Sequence, residues 1–135
     1  MRITKKTPAL ALAAALPALM APVAASAQAA DWSCTFKTEC LDDECAASGY
    51  EAQLALMPVS IDAGEATLQA RLSDESEAVP MAGMDQNGLM RMFNLESVAG
   101  ARLLTIWPDG TARYTTHIAG PAASMTYAGR CEEAK

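Results

Sequence analysis

The chain has 135 residues and carries 16 acidic against ten basic side chains, which gives a net charge of −6 at pH 7. That charge disfavours nucleic acids and anionic lipid surfaces as partners and favours basic ones. The length is that of one domain. No residue pattern typical of catalysis or of a cofactor site occurs in the sequence, so we expect a protein that is not an enzyme and has no cofactor.

The start of the chain predicts a secretory signal peptide. Basic side chains occupy three of the first six positions, an apolar stretch follows over 8–25, and Ala25-Ser26-Ala27 is a small-x-small cleavage site. A membrane anchor is the alternative, but its helix would contain Pro17 and Pro22. We therefore predict a signal peptide over 1–27 and a single exported domain over 28–135.

The exported domain is more acidic than the whole chain. Removing 27 of the 135 residues leaves 108, and all 16 acidic side chains stay while three of the ten basic ones leave, so the net charge becomes −9. No remaining segment reaches the roughly 20 apolar residues of a membrane span. We expect a periplasmic or secreted protein that is free of the membrane after cleavage, and its oligomeric state stays open.

All four cysteines lie in the exported part, at Cys34, Cys40, Cys45 and Cys131. An even number of cysteines in an oxidising compartment predicts two disulfides, for which three pairings are possible. We favour Cys34 with Cys131, which joins the two end strands, and Cys40 with Cys45, which closes a short loop. A redox or zinc site is disfavoured, because the spacing of Cys40 and Cys45 is not Cys-x-x-Cys and zinc needs reduced thiolates.

Alternation of apolar and polar residues dominates the exported chain and predicts β-strands. The clearest unit is a hairpin over 101–118, whose three-residue loop Pro108-Asp109-Gly110 places Trp107 opposite Thr111. One face of this hairpin is therefore apolar and the other polar. The register that follows pairs Ile106 with Ala112, Thr105 with Arg113, Leu104 with Tyr114, Leu103 with Thr115 and Ala101 with His117.

Further strands are predicted on both sides of this hairpin. The longest loop is expected over 73–83, because that segment contains Pro80 and Gly83. About six short strands joined locally predict an all-β antiparallel meander, closed as a small barrel or folded as a sandwich and stapled by the disulfides. The predicted strands cover 32–37, 50–57, 65–72, 89–95 and 124–131 besides the two of the hairpin.

One histidine and a group of methionines are the residues to weigh for catalysis and metal binding. No nucleophile motif accompanies His117, so we expect a solvated strand position and no catalytic residues. Met81, Met90 and Met92 share one face of their predicted hairpin, whereas Met84 lies on the other. Thioethers suit Cu(I), so those three are the candidate metal ligands, and packing in the core is the favoured alternative.

Two acidic loops are the candidate partner-binding surface. Adjacent carboxylates cannot all point at one calcium ion, which argues against an EF-hand-like site. We expect these loops to meet a basic exported protein or simply to keep the domain soluble. Their residues are Asp42, Asp43 and Glu44, between two of the cysteines, and then Asp74, Glu75 and Glu77.

The two ends of the exported domain carry a family resemblance. Trp32-x-Cys34 and Tyr127-x-Gly129-x-Cys131 resemble the framing of small periplasmic inhibitors of C-type lysozyme. The resemblance implies an antiparallel barrel closed by a terminal disulfide, with a loop that enters the active site of a basic lysozyme. The family's Ser-Gly-x-x-Tyr-like and Trp-x-Lys-Gly-like segments are not present, so no inhibitory residue carries over, and Cys40 and Cys45 are additional.

These patterns predict a non-enzymatic exported β-domain that binds a protein or a small ligand. The alternatives are an inhibitor of lysozyme or another hydrolase and a methionine-based periplasmic copper-binding protein. A protein-binding module should show an apolar or acidic exposed patch around residues 73–83.

Overall fold

Nine β-strands make up the fold in the computed structural model, which describes residues 29–135. No helix in that part of the chain is long and apolar enough to cross a membrane. The predicted signal peptide over 1–27 lies outside the described residues. The strands are β1 (Ala30–Leu41), β2 (Glu44–Ala47), β3 (Glu51–Asp62), β4 (Glu65–Ser73), β5 (Ala78–Gln86), β6 (Leu89–Asn94), β7 (Gly100–Ile106), β8 (Thr111–Ile118) and β9 (Ala123–Glu133).

Eight of these strands close into an antiparallel barrel. Neighbouring strands pair in the order β1, β3, β4, β5, β6, β7, β8 and β9, and β9 pairs back with β1. β2 lies outside this ring and pairs with the second half of β1. The predicted all-β antiparallel fold is confirmed, and it is a barrel, with more strands than the six or so expected.

The hairpin predicted over 101–118 is confirmed together with its register. Leu104 lies opposite Tyr114, and both side chains are buried. The Gly110 amide donates a hydrogen bond to the Trp107 carbonyl at 2.9 Å and closes the turn. Gly110 has a φ of 84°, a left-handed conformation that glycine adopts at no steric cost. Local turn chemistry therefore sets how β7 pairs with β8.

Side chains from all eight barrel strands fill the inside of the barrel. They come from alternate positions, because successive side chains of a strand point to opposite faces. In β4, for example, Leu68 and Leu72 are buried while Gln69 and Arg71 are exposed. The buried apolar residues are Cys34, Phe36, Ala52, Leu54, Leu56, Leu68, Leu72, Val79, Met81, Met90, Met92, Leu104, Ile106, Ala112, Tyr114 and Cys131.

Both favoured disulfides are present. Cys34 lies directly opposite Cys131 where β1 and β9 close the barrel, and Cys40 lies opposite Cys45 in the hairpin of β1 and β2. The first bridge is buried, so it joins β1 to β9 covalently on the inside of the barrel. The second lies nearer the surface and fixes the two-residue turn of the hairpin.

The loop expected over 73–83 is wrong, since most of that segment forms β5. Only residues 74–77 connect β4 to β5. Pro80 fits because β6 pairs with β5 only from Ala82 onward, so no neighbouring strand needs the amide hydrogen that proline lacks. On that side the Pro80 carbonyl instead accepts a hydrogen bond from Nδ2 of Asn94 at 2.7 Å.

Candidate functional site

One end of the barrel is strongly acidic. Four connections lie there, at 42–50, 74–77, 95–99 and 119–122, and we refer to them as the acidic end. They contain seven carboxylate side chains and no lysine, arginine or histidine. The fold therefore brings all six candidate partner-binding residues to the same end. These are Asp42, Asp43, Glu44, Asp74, Glu75 and Glu77.

Four aromatic rings pack together beneath the acidic end and form an aromatic platform. Phe36, Tyr50, Tyr114 and Tyr127 have six centroid-to-centroid separations between 4.5 and 6.3 Å. These separations are typical of aromatic pairs in contact. Phe36 and Tyr114 are buried, whereas Tyr50 and Tyr127 are partly exposed. The platform thus gives the connection at 74–77 a packed base.

Tyr50 ties the platform to the second acidic loop. Its hydroxyl donates to Oδ2 of Asp74 at 2.8 Å, and Oδ1 of Asp74 accepts from the amides of Ser76 and Glu77. Partial burial opposes ionisation of Asp74, but these donors outweigh it and lower the pKa to about 2. Burial, then the hydrogen bond to Asp74 and its charge, raises the pKa of Tyr50. Asp74 is thus a fixed anion that shapes its loop.

Glu77, at the end of the same loop, neutralises a buried arginine. Arg102 is 7% exposed, and its Nη2 donates to both carboxylate oxygens of Glu77, at 2.8 and 3.0 Å. The Nε of Arg102 is buried and has no hydrogen-bond partner within residues 29–135. A buried charge is costly without a counter-ion, so Glu77 stabilises Arg102 in its buried position. Glu75 is exposed and remains the carboxylate of this loop that can meet a partner.

The first acidic loop is held by β9 and by the second disulfide. Oδ1 of Asp42 accepts hydrogen bonds from the amide and the hydroxyl of Ser124, at 2.8 and 3.3 Å. Asp42 has a φ of 50°, which aspartate tolerates in tight turns. Asp43 and Glu44 are exposed beside it. Each acidic loop therefore combines anchored carboxylates with free ones.

A groove of about 800 Å³ runs along the outer face of the barrel and reaches the acidic end. We call it the outer groove. Met57, Phe93 and Leu95 line it and are 58, 45 and 70% exposed. Glu96, which belongs to the acidic end, lines it as well, so the two surfaces are continuous. Clustered exposed apolar side chains of this kind mark interaction surfaces.

The candidate metal ligands and His117 lie outside the acidic end. Met81, Met90 and Met92 point into the barrel, where they are 4, 5 and 0% exposed, while Met84 is 46% exposed on the outer face. Within residues 29–135, no group of three or more His, Cys, Asp or Glu side chains is arranged to hold a metal. His117 is exposed on β8. Copper binding by the three buried thioethers stays a prediction.

The sequence patterns did not reveal the aromatic platform or the outer groove. The four rings are far apart in the chain, and barrel closure brings them together. A signal was nevertheless present, because the predicted Cys34–Cys131 bridge implies that both cysteines face inward. Counting by two along each strand from those cysteines also places Phe36 and Tyr127 inward.

No family model matches the chain, and neither a curated protein nor a solved structure is significantly similar to it. What the protein does must therefore follow from the acidic end, the aromatic platform and the outer groove.

Proposed function

We propose that this protein is a non-enzymatic exported binding module that engages a basic protein through the acidic end and the outer groove. The observation that carries the proposal is that two acidic loops, distant in sequence, lie at the same end of the barrel, and one of them is hydrogen-bonded to the aromatic platform. Exposed carboxylates attract a positively charged partner over a distance and orient it. The outer groove adds the apolar contact area that the centre of a protein interface needs.

The anchoring of both loops supports binding in a fixed shape. A disulfide and Ser124 hold the first loop, while the platform and Arg102 hold the second. A surface that is already ordered loses less conformational entropy when a partner docks. The exposed carboxylates of Asp43 and Glu75 then project from a rigid base toward the partner.

A basic hydrolase is the partner class that suits this surface, and a C-type lysozyme is its most specific form. The charge of the acidic end complements such an enzyme. The resemblance of Trp32-x-Cys34 and Tyr127-x-Gly129-x-Cys131 to the lysozyme-inhibitor framing points to the same target. In this narrower form of the proposal, a loop of the acidic end enters the substrate cleft of the enzyme and blocks it.

Calorimetric titration of a C-type lysozyme and a panel of other basic exported proteins tests the proposal. Replacing Asp43→Asn together with Glu75→Gln should weaken binding roughly 2- to 30-fold, since each exposed charge contributes about 0.2 to 1 kcal/mol. Added salt should weaken binding by the unaltered protein. The matched control, Asp62→Asn with Glu133→Gln, removes the same charge from the opposite end and should leave affinity unchanged.

The outcomes separate the general proposal from its narrower form. Binding to another basic protein but not to lysozyme would remove the lysozyme-inhibitor form alone. Equal losses in the two double variants, or no binding across the whole panel, would overturn the proposal.

The contribution of the outer groove is tested by replacing one aromatic side chain. Phe93→Thr keeps a residue suited to a strand but removes the ring, and it should weaken binding about tenfold if the ring lies at the centre of the interface. Leu103→Thr is the matched control, because Leu103 lies opposite Phe93 on β7, is similarly exposed and does not line the groove. Equal effects of the two substitutions would place the interface outside the groove.

A further inference from the structure

Both tryptophans of the chain line a pair of adjoining grooves at the end of the barrel opposite the acidic end. One groove, of about 370 Å³, is lined by Trp32, Trp107 and Pro108, and the other, of about 350 Å³, also contains Trp32. Asp85 and Met90 line both, so the two grooves are continuous. We call this surface the tryptophan groove. It adjoins the far end of the outer groove at Leu56 but shares no lining residue with the acidic end, and the inference does not rest on the proposed function.

The charge around the tryptophan groove is predominantly negative. Among the lining residues within 29–135, Arg130 is the one lysine or arginine, and its guanidinium donates a hydrogen bond to the Asp109 carbonyl. The groove therefore combines indole rings with a surplus of negative charge. The carboxylates that line it are Glu65, Asp85, Asp109, Glu132 and Glu133.

Three of the five carboxylates accept hydrogen bonds within the protein. Both oxygens of Asp109 accept hydrogen bonds from Thr111, and Oδ1 of Asp85 accepts from the Gly88 amide at 2.7 Å. Glu65 accepts from the side-chain amide of Gln86 at 2.9 Å. The negative charges of all five carboxylates remain beside the indole rings. Indole rings next to such charge suit a weakly hydrated organic cation.

We infer that the tryptophan groove binds an organic cation of the quaternary ammonium class. Such a cation is attracted to the face of an indole ring, which tightens binding about 2- to 30-fold depending on desolvation. Met90 and Pro108 offer apolar contact to its methyl groups. A guanidinium group is the competing class of cation, but it needs acceptors for five N–H donors, which a quaternary ammonium does not. A small metal ion is disfavoured because, within residues 29–135, no three carboxylates are arranged to hold one together.

Tryptophan emission reports directly on this groove, because the chain contains no other tryptophans. Choline is the probe, and 3,3-dimethylbutan-1-ol, which has the same shape without the charge, is its neutral counterpart. Choline should change the emission saturably and bind about 2- to 30-fold more tightly than the alcohol. L-Argininamide should bind more weakly than choline.

Asp85→Asn tests the electrostatic part, since asparagine keeps an oxygen to accept from Gly88 and loses only the charge. It should weaken choline binding about 1.5- to fivefold and leave binding of the alcohol unchanged. Asp62→Asn, an exposed position outside the groove, is the matched control and should have no effect. Unchanged thermal unfolding of both variants would show that the barrel is intact.

Several results would overturn the inference. Equal affinities for choline and the alcohol would remove the role of charge. Tighter binding of argininamide would assign the groove to another class of cation. Equal behaviour of the two variants, or tryptophan emission that does not respond to choline, would remove the site.

Discussion

Removing the bridge between Cys34 and Cys131 should cost far more stability than removing the bridge between Cys40 and Cys45. The first joins residues 97 positions apart and the second residues 5 positions apart. Loop-closure entropy then gives about 4.7 kcal/mol for the first bridge and about 2 kcal/mol for the second at 25 °C. Replacing Cys34 and Cys131 with alanine also loses packing, because these side chains are 0 and 1% exposed.

Urea unfolding of the two double-alanine variants, followed by tryptophan fluorescence and circular dichroism, measures this difference. The variant without the Cys34–Cys131 bridge should lose at least twice as much free energy of unfolding as the other. Its m-value should also rise, since an unfolded chain without the long cross-link exposes more surface. Equal losses, or a larger loss on removing the Cys40–Cys45 bridge, would refute the reasoning that loop length dominates.

Three further predictions concern single residues. The pKa of Asp74 is lowered from 3.8 to about 2, so its ionised form contributes stability above pH 3.8 that is lost as the pH falls through 2. Asp74→Asn should remove this pH dependence, which amounts to about 1 kcal/mol of the free energy of unfolding after solvent screening. If the urea midpoint changes with pH equally in the variant and the unaltered protein, the prediction is contradicted. Glu77→Gln should destabilise by about 1 to 3 kcal/mol, because it leaves Arg102 buried without a counter-ion, whereas Arg102→Met should cost less in the same denaturation assay. Equal costs would show that the ion pair matters little. Gly129→Ala should cost about 3 kcal/mol or more, since its Cβ would lie 2.1 Å from a backbone carbonyl oxygen of β1. Gly49→Ala, with no atom within 4 Å of the new Cβ, should leave the thermal midpoint unchanged, and equal midpoints of both variants would refute the steric argument.

Features set by local chemistry were predictable from the sequence. The turn at Pro108-Asp109-Gly110 determines the register of its hairpin, because a three-residue loop leaves one way to pair the flanking residues. The side-chain alternation in 65–72 likewise assigns the inner face of β4 without reference to any other strand. The disulfides followed from the even number of cysteines together with their positions along the chain.

Features that depend on neighbours distant in sequence were not predictable. Pro80 and Gly83 concealed the alternation in β5, since whether a proline fits a strand depends on where the adjacent strand ends. The choice between barrel and sandwich depended on the pairing of β1 with β9. The candidate site likewise depends on contacts between residues distant in sequence, because Tyr50 and Tyr127 meet only after the barrel closes. The composition identified the acidic loops, but their position at the same end of the barrel follows only from the order in which the strands pair.

The barrel brings its first and last strands into contact, with Trp32 opposite Glu133 and the Ala134 amide donating to the Asp31 carbonyl at 2.7 Å. The start of β1 and the end of β9 therefore lie at the end of the barrel that carries the tryptophan groove. A short linker between them would make the backbone circular, and new termini opened within 95–99 would preserve every pair of strands. A tag at either strand end would likewise immobilise the molecule on a sensor surface with its seven loop carboxylates facing the solution.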